Sequence, residues 1–89
     1  MEYEIYTVYD RVSGMYGGLV LHVNKASAIR WFGDIMSKNE HAADMDLYYI
    51  GTFDTQDGVA SIGSPVFVTN VATMEAVMSM ESVMSESED

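Results

Sequence analysis

The chain is expected to fold as α+β: a small, mainly antiparallel sheet of about four strands in ββαββ order, packed with one central helix and followed by a C-terminal helix. Three observations predict this. Aromatic and β-branched residues gather in short runs bounded by glycine, asparagine and aspartate. One stretch, after Asn24, switches to helical spacing. After Val71 the chain becomes rich in methionine and acids and loses its strand composition.

Residues Tyr3 to Tyr9 read as the first strand, with apolar groups on both alternating sets, so both of its faces are expected to be covered. Arg11 to Gly14 and Gly17-Gly18 are turn material, with Met15-Tyr16 a short apolar insert between them. Gly18 to Val23 reads as the second strand. Asn24 is the expected N-cap of a helix over Lys25 to Lys38, because a short side-chain oxygen there meets a free backbone N–H of the first turn. Ile29, Phe32, Ile35 and Met36 share one helical face, and Arg30, Asp34 and Lys38 lie opposite at i, i+4 and i+8. Gly33 weakens the helix and is read as allowing close approach to the sheet.

Asp46 to Phe53 is the third strand. Simple alternation puts Leu47, Tyr49 and Phe53 on one face and Tyr48, Ile50 and Thr52 on the other. Asp54 to Gly58 supplies a turn, and Val59 to Ile62 briefly continues the hairpin until Gly63-Ser64-Pro65 interrupts it. Val66 to Val71 is the fourth strand. Thr73 is the expected cap of a Met-rich helix ending near Met84, followed by a solvated acidic tail over 85–89. The domain organisation is therefore one α+β domain over 1–72, a helix over 73–84 and a tail.

Charge narrows the function. Fourteen acids oppose four cations, for a net charge of -10. Nucleic-acid affinity comes mainly from cations that neutralise phosphates, so a direct DNA-coating role is disfavoured and protein partners fit better. The chain contains no cysteine, which removes thiol nucleophiles, disulfides and cysteine-based zinc sites. No apolar run nears the roughly 20 residues of a membrane span, and acids stand at the N-terminus where a signal peptide has basic residues. His22 and His41 lack metal-ligand spacing, Asp54 and Asp57 read as turn residues, and Gly14, Gly17 and Gly18 do not form a phosphate loop. No catalytic residue, metal or cofactor is expected.

Two surfaces remain as candidates. Trp31 with Arg30 and Lys38 offers an aromatic beside cations, the combination that stacks single-stranded bases, although the scarcity of cations favours reading the ring as part of a core rim or a dimer interface. Met74, Val77, Met78 and Met84 form an imperfect apolar helix face suited to a partner groove, because methionine adapts to irregular surfaces. Apolar groups on both faces of the strands leave the second sheet face to be covered, either by a second copy or by the C-terminal helix.

Several motifs resemble a known family. The strand Tyr3 to Asp10 opens the pattern; Ala28, Ile29, Arg30, Phe32 and Asp34 match its helix. Asp44, Asp46, Leu47, Tyr48, Ile50, Gly51, Phe53, Asp54 and Gly58 match a "D-DLY-IG-FD---G" stretch. Together these resemble the small non-structural accessory protein of gokushovirus-type microviruses, which are single-stranded DNA phages. Asp57 stands where that family usually has Thr, and the segment after Val71 has no counterpart. The resemblance implies a non-virion protein of the host cytoplasm. It would support single-stranded genome synthesis or packaging, through a phage or host replication protein or by binding single-stranded DNA directly. Inhibition of a host protein by DNA mimicry is the remaining expectation from the charge.

Overall fold

The computed structural model describes residues 1–87, with side chains for residues 1–80. Its elements are β1 (Glu2–Asp10), β2 (Met15–Tyr16), β3 (Val20–His22), α1 (Lys25–Met36), a short 3-10 turn (Ala42–Asp44), β4 (Met45–Asp54), β5 (Ala60–Asn70) and α2 (Val71–Ser87). The α+β class and the ββαββ plan hold. The apolar insert Met15-Tyr16 is itself a two-residue strand, which makes the sheet five-stranded.

All pairings are antiparallel. β1 is central, pairing β4 on one side and both β2 and β3 on the other, and β5 pairs the far side of β4. Chain order follows from local chemistry. The Asn24 Oδ1 accepts the Ser27 N–H at 2.8 Å and starts α1 where expected. Asp54 and Asp57 hold the β4–β5 turn, accepting from the N–H groups of Gln56 at 2.7 Å and Val59 at 2.9 Å, while Gly58 takes a left-handed φ of +73°.

Helix α1 covers one face. Its buried stripe is Ala28, Phe32 and Met36, flanked by half-buried Ile29 and Ile35, and it meets Tyr6 of β1 and Leu47 of β4. Burial of Tyr6 and its donated hydrogen bond to the Glu4 Oε1, at 2.7 Å, raise the pKa of its phenol, which stays protonated. Gly33 makes no close approach: nothing lies within 4 Å of where its Cβ would stand. Its weakening of α1 is not exchanged for tighter packing on the sheet.

Two expectations about strands fail for one reason, irregular register. β1 pairs Ile5 with Gly51 and Tyr6 with Tyr49, so Ile50 is an extra residue in β4. The extra residue resets alternation. Leu47 and Tyr49 pair with Val8 and Tyr6 on the α1 side, whereas Phe53 pairs with Tyr3 on the opposite face. Thr52, opposite Glu4, moves to the α1 side. Likewise Gly63-Ser64-Pro65 does not end a strand. These residues lie between the Ile62–Gly51 and Val66–Tyr49 pairs, inside one continuous β5.

The C-terminal helix begins earlier than expected. Asn70, not Thr73, is its cap: the Asn70 Oδ1 accepts the Thr73 N–H at 2.8 Å. The helix runs to Ser87, through much of the segment read as an acidic tail; residues 88 and 89 lie outside the described residues. Val71 and Met74 pack against the α1-side core. The helix therefore does not cover the second face of the sheet.

Candidate interaction surfaces

The face of the sheet opposite α1 carries aromatic rings from four strands. Tyr9 of β1 pairs directly with Tyr16 of β2, and Tyr48 of β4 with Phe67 of β5. Ring centroids are 4.6 Å apart for Tyr9–Tyr16, 5.5 Å for Tyr16–Tyr48, 6.0 Å for Tyr9–Tyr48 and 5.9 Å for Tyr48–Phe67. Most of these contacts are edge-to-face, the arrangement the ring quadrupole favours. Tyr16 and Phe67, at the ends of the row, are 46% and 47% exposed. Partial desolvation, then the neighbouring Tyr16, Asp46 and Tyr9, raise the pKa of the Tyr48 phenol, with Arg11 opposing the shift.

One rim of this face is closed by a polar chain. Arg11 Nε lies 3.2 Å from Asp46 Oδ2, Asn70 Nδ2 donates to Asp46 Oδ1 at 3.1 Å, and Asn70 caps α2. Arg11 also donates from its backbone to Asp44 O and from Nη2 to Ala43 O. The buried Asp46 carboxylate thus ties the β1–β2 loop, β4 and the start of α2 together. Arg11→Ala leaves that carboxylate with Asn70 alone. It is expected to cost about 1–3 kcal/mol in urea unfolding, with much of the loss recovered in the Arg11→Ala, Asp46→Asn double variant, which removes the buried charge.

The sequence-selected residues lie elsewhere. Trp31 is half-buried and packs against the α1-side core, its ring 5.2 Å from His22. Arg30 and Lys38 are exposed, Arg30 on α1 and Lys38 just beyond its end. Trp31 is thus committed to packing on the sheet rather than presented beside the two cations as an open ring. His22 is a packed histidine: its Nδ1 lies 3.4 Å from Ser27 Oγ, and its buried Nε2 has no hydrogen-bond partner. Among the described residues, no three His, Asp or Glu side chains come together as a metal site.

Of the methionine surface, Met74 is packed, while Val77 and Met78 are exposed, Met78 at 68%; the Met84 side chain lies outside the described residues. Met80 is exposed as well. Val71, Met74 and Met78 share a helical face, yet only the first two meet the core, because the helix outruns the layer it packs on.

The family model described as Phage ORF5 protein matches residues 3–74. The chain belongs to that family. The match takes in every strand, α1 and the packed start of α2, and it ends at Met74, where the helix leaves the core. No curated protein and no solved structure matches the chain. Family membership makes this a phage protein. The motif residues within the matched stretch are mostly structural: Phe32 and Leu47 form the core, Asp46 the polar tie, and Gly51 the close crossing of β4 and β5.

The aromatic row was not among the sequence candidates, because its members come from four strands whose register composition does not fix. Two signals point to it. Tyr9 and Tyr16 flank a short turn, and residues 58–74 contain no charged side chain in a chain of net charge -10. No described helix is long and apolar enough to cross a membrane.

Proposed function

We propose that this protein is a non-enzymatic accessory protein of a gokushovirus-type phage. It acts in the host cytoplasm outside the virion and supports single-stranded genome synthesis or packaging through protein contacts. The observation that carries this reading is α2 beyond Met74. Val77, Met78 and Met80 stand exposed, and the helix sequence 71–87 contains glutamates and no cation. A helix of that kind fits an apolar groove edged with Lys or Arg on a phage or host replication protein. Phage carrying Val77→Asp or Met78→Asp is expected to make the accessory protein in normal amount and folded. Its yield of single-stranded progeny genomes should fall by about tenfold or more, as the loss of a docking hot spot implies. Normal genome yield with both variants overturns the reading.

The aromatic row favours one competing reading, direct binding of single-stranded DNA by base stacking. The charge opposes it: Arg11, the cation at the rim of that face, is already engaged by Asp46. Titration of the full chain with an oligothymidylate at low salt separates the two. Stacking predicts binding that weakens steeply with salt, and the docking reading predicts none.

A further inference from the structure

The sheet face opposite α1 inverts the usual pattern of an exposed sheet. An antiparallel sheet with one free face normally shows polar residues there. Here the registers align Leu21, Ile5, Gly51 and Ile62 in one row, beside the ring row of Tyr16, Tyr9, Tyr48 and Phe67. Ile5 and Gly51 in the middle of the first row, and Thr7 between the two rows, are buried within the chain, so the exposed apolar surface is Leu21, Ile62 and the ends of the ring row, Tyr16 and Phe67. The strand acids Glu2, Glu4, Asp10 and Asp54 fall on the other face, by their pairing with Asp54, Thr52, Met45 and Glu2. Asp46 alone among the strand acids shares the apolar face, and Arg11 neutralises it there. The bordering strand β5 carries no charge along its length.

These features together select the occupant. A basic partner is recognised by acids, and this face offers no free one. A nucleic acid needs cations, and the Arg11 guanidinium is already paired. A second copy of a chain with net charge -10 meets little repulsion where charge is absent or internally neutralised. This face is such a place, and an isologous contact brings it against itself without uniting like charges. Its size also suits. Fully enclosed aromatic side chains bury about 150–250 Å² each, so the half-exposed rings with Leu21 and Ile62 offer on the order of 500 Å² per copy. That is about half of the roughly 800 Å² per partner of a standard interface, which places the contact among weak, micromolar ones.

We propose that the protein is a homodimer in which two copies pack sheet on sheet through this aromatic face, leaving both α2 helices at the periphery. Sedimentation equilibrium on the full chain from about 1 to about 500 µM tests it, a span covering the micromolar affinities expected of a modest interface. The expected result is a monomer–dimer equilibrium that tightens as salt rises from about 0.05 to about 0.5 M, because screening relieves repulsion between like-charged copies. Phe67→Asp is expected to weaken it by about thirtyfold or more, and Ile62→Asp, at a more exposed position, gives the same direction with less risk to the fold. Circular dichroism reports whether each variant is folded, and Val77→Asp on α2 leaves the dimer unchanged. A wild-type chain that stays monomeric throughout the range overturns the proposal. So does a dimer that survives both face variants or is lost with Val77→Asp. A monomer that binds oligothymidylate, with Phe67→Asp abolishing the binding, assigns the face to nucleic acid instead.

Discussion

Gly51→Ala is expected to destabilise the fold by on the order of 4 kcal/mol, enough to leave much of the protein unfolded near 37 °C. A Cβ at this position would stand 2.0 Å from the Ser61 carbonyl oxygen and 3.0 Å from Ile62 Cα. Both neighbours are backbone, so no rotamer change relieves the clash. Relief requires β4 and β5 to separate where Gly51 pairs with Ile62, beside the extra residue Ile50 that already disturbs the register. A domain of this size has a total stability of about 4–13 kcal/mol, so the loss is a large fraction of it. Thermal unfolding should show a midpoint lower by about 15–30 °C. Gly33→Ala is the matched control. With nothing within 4 Å of its Cβ and a helical position, it should stabilise by up to about 1 kcal/mol. A Gly51→Ala midpoint within about 3 °C of wild type would show that the close crossing of β4 and β5 is wrong.

This contrast between two glycines marks where sequence reading succeeds. Asn24, Asp54 and Gly58 were legible because their roles are local: a side-chain oxygen or a permissive φ meets backbone groups two or three residues away. Gly51 and Gly33 were not, because a close approach depends on which strand lies across from the residue. The same holds for faces. Alternation was right for Leu47 and Tyr49 and failed at Phe53, since one extra residue at Ile50 shifts every later side chain to the opposite face. Composition places Asn70 within the strand Val66 to Val71, yet it also caps α2 and donates to Asp46, roles visible only once β4 lies beside β5.

The candidate sites divide in the same way. The apolar character of α2 was legible, but composition could not show that the core ends at Met74 and leaves Val77 and Met78 unpartnered. Trp31 beside Arg30 reads from the sequence either as a stacking ring or as part of a core rim or interface. In the fold the indole packs against the core, and the rings gathered on the opposite face come from positions as distant as Tyr9 and Phe67. Charge was the more dependable guide. Its absence over residues 58–74 follows from the sequence, and that stretch contains the whole of β5, which borders the aromatic face.

Phe32→Ala is expected to cost about 3–5 kcal/mol, through lost transfer energy and the cavity left behind. Phe32 is fully buried between Ala28 and Met36 of its own helix and the sheet residues Tyr6 and Leu47. Tyr6 is held by its hydrogen bond to Glu4 and the Ala28 methyl cannot reach further, so Met36 and Leu47 are left to refill the void and do so only in part. Urea unfolding should show a lower midpoint with an unchanged slope, the mark of lost stability rather than a less compact native state. Phe32→Leu should recover more than half of the loss by refilling most of the volume. Trp31→Ala, at the half-buried neighbouring position, should cost clearly less, because water reaches part of the space it vacates. A larger loss for Trp31 than for Phe32 would place the centre of the core on the wrong helix face. If the chain dimerises through its open sheet face, all these midpoints rise with protein concentration. The gap between Phe32→Ala and wild type stays constant at any fixed concentration, because Phe32 contributes to the α1-side core and not to the face where the copies meet.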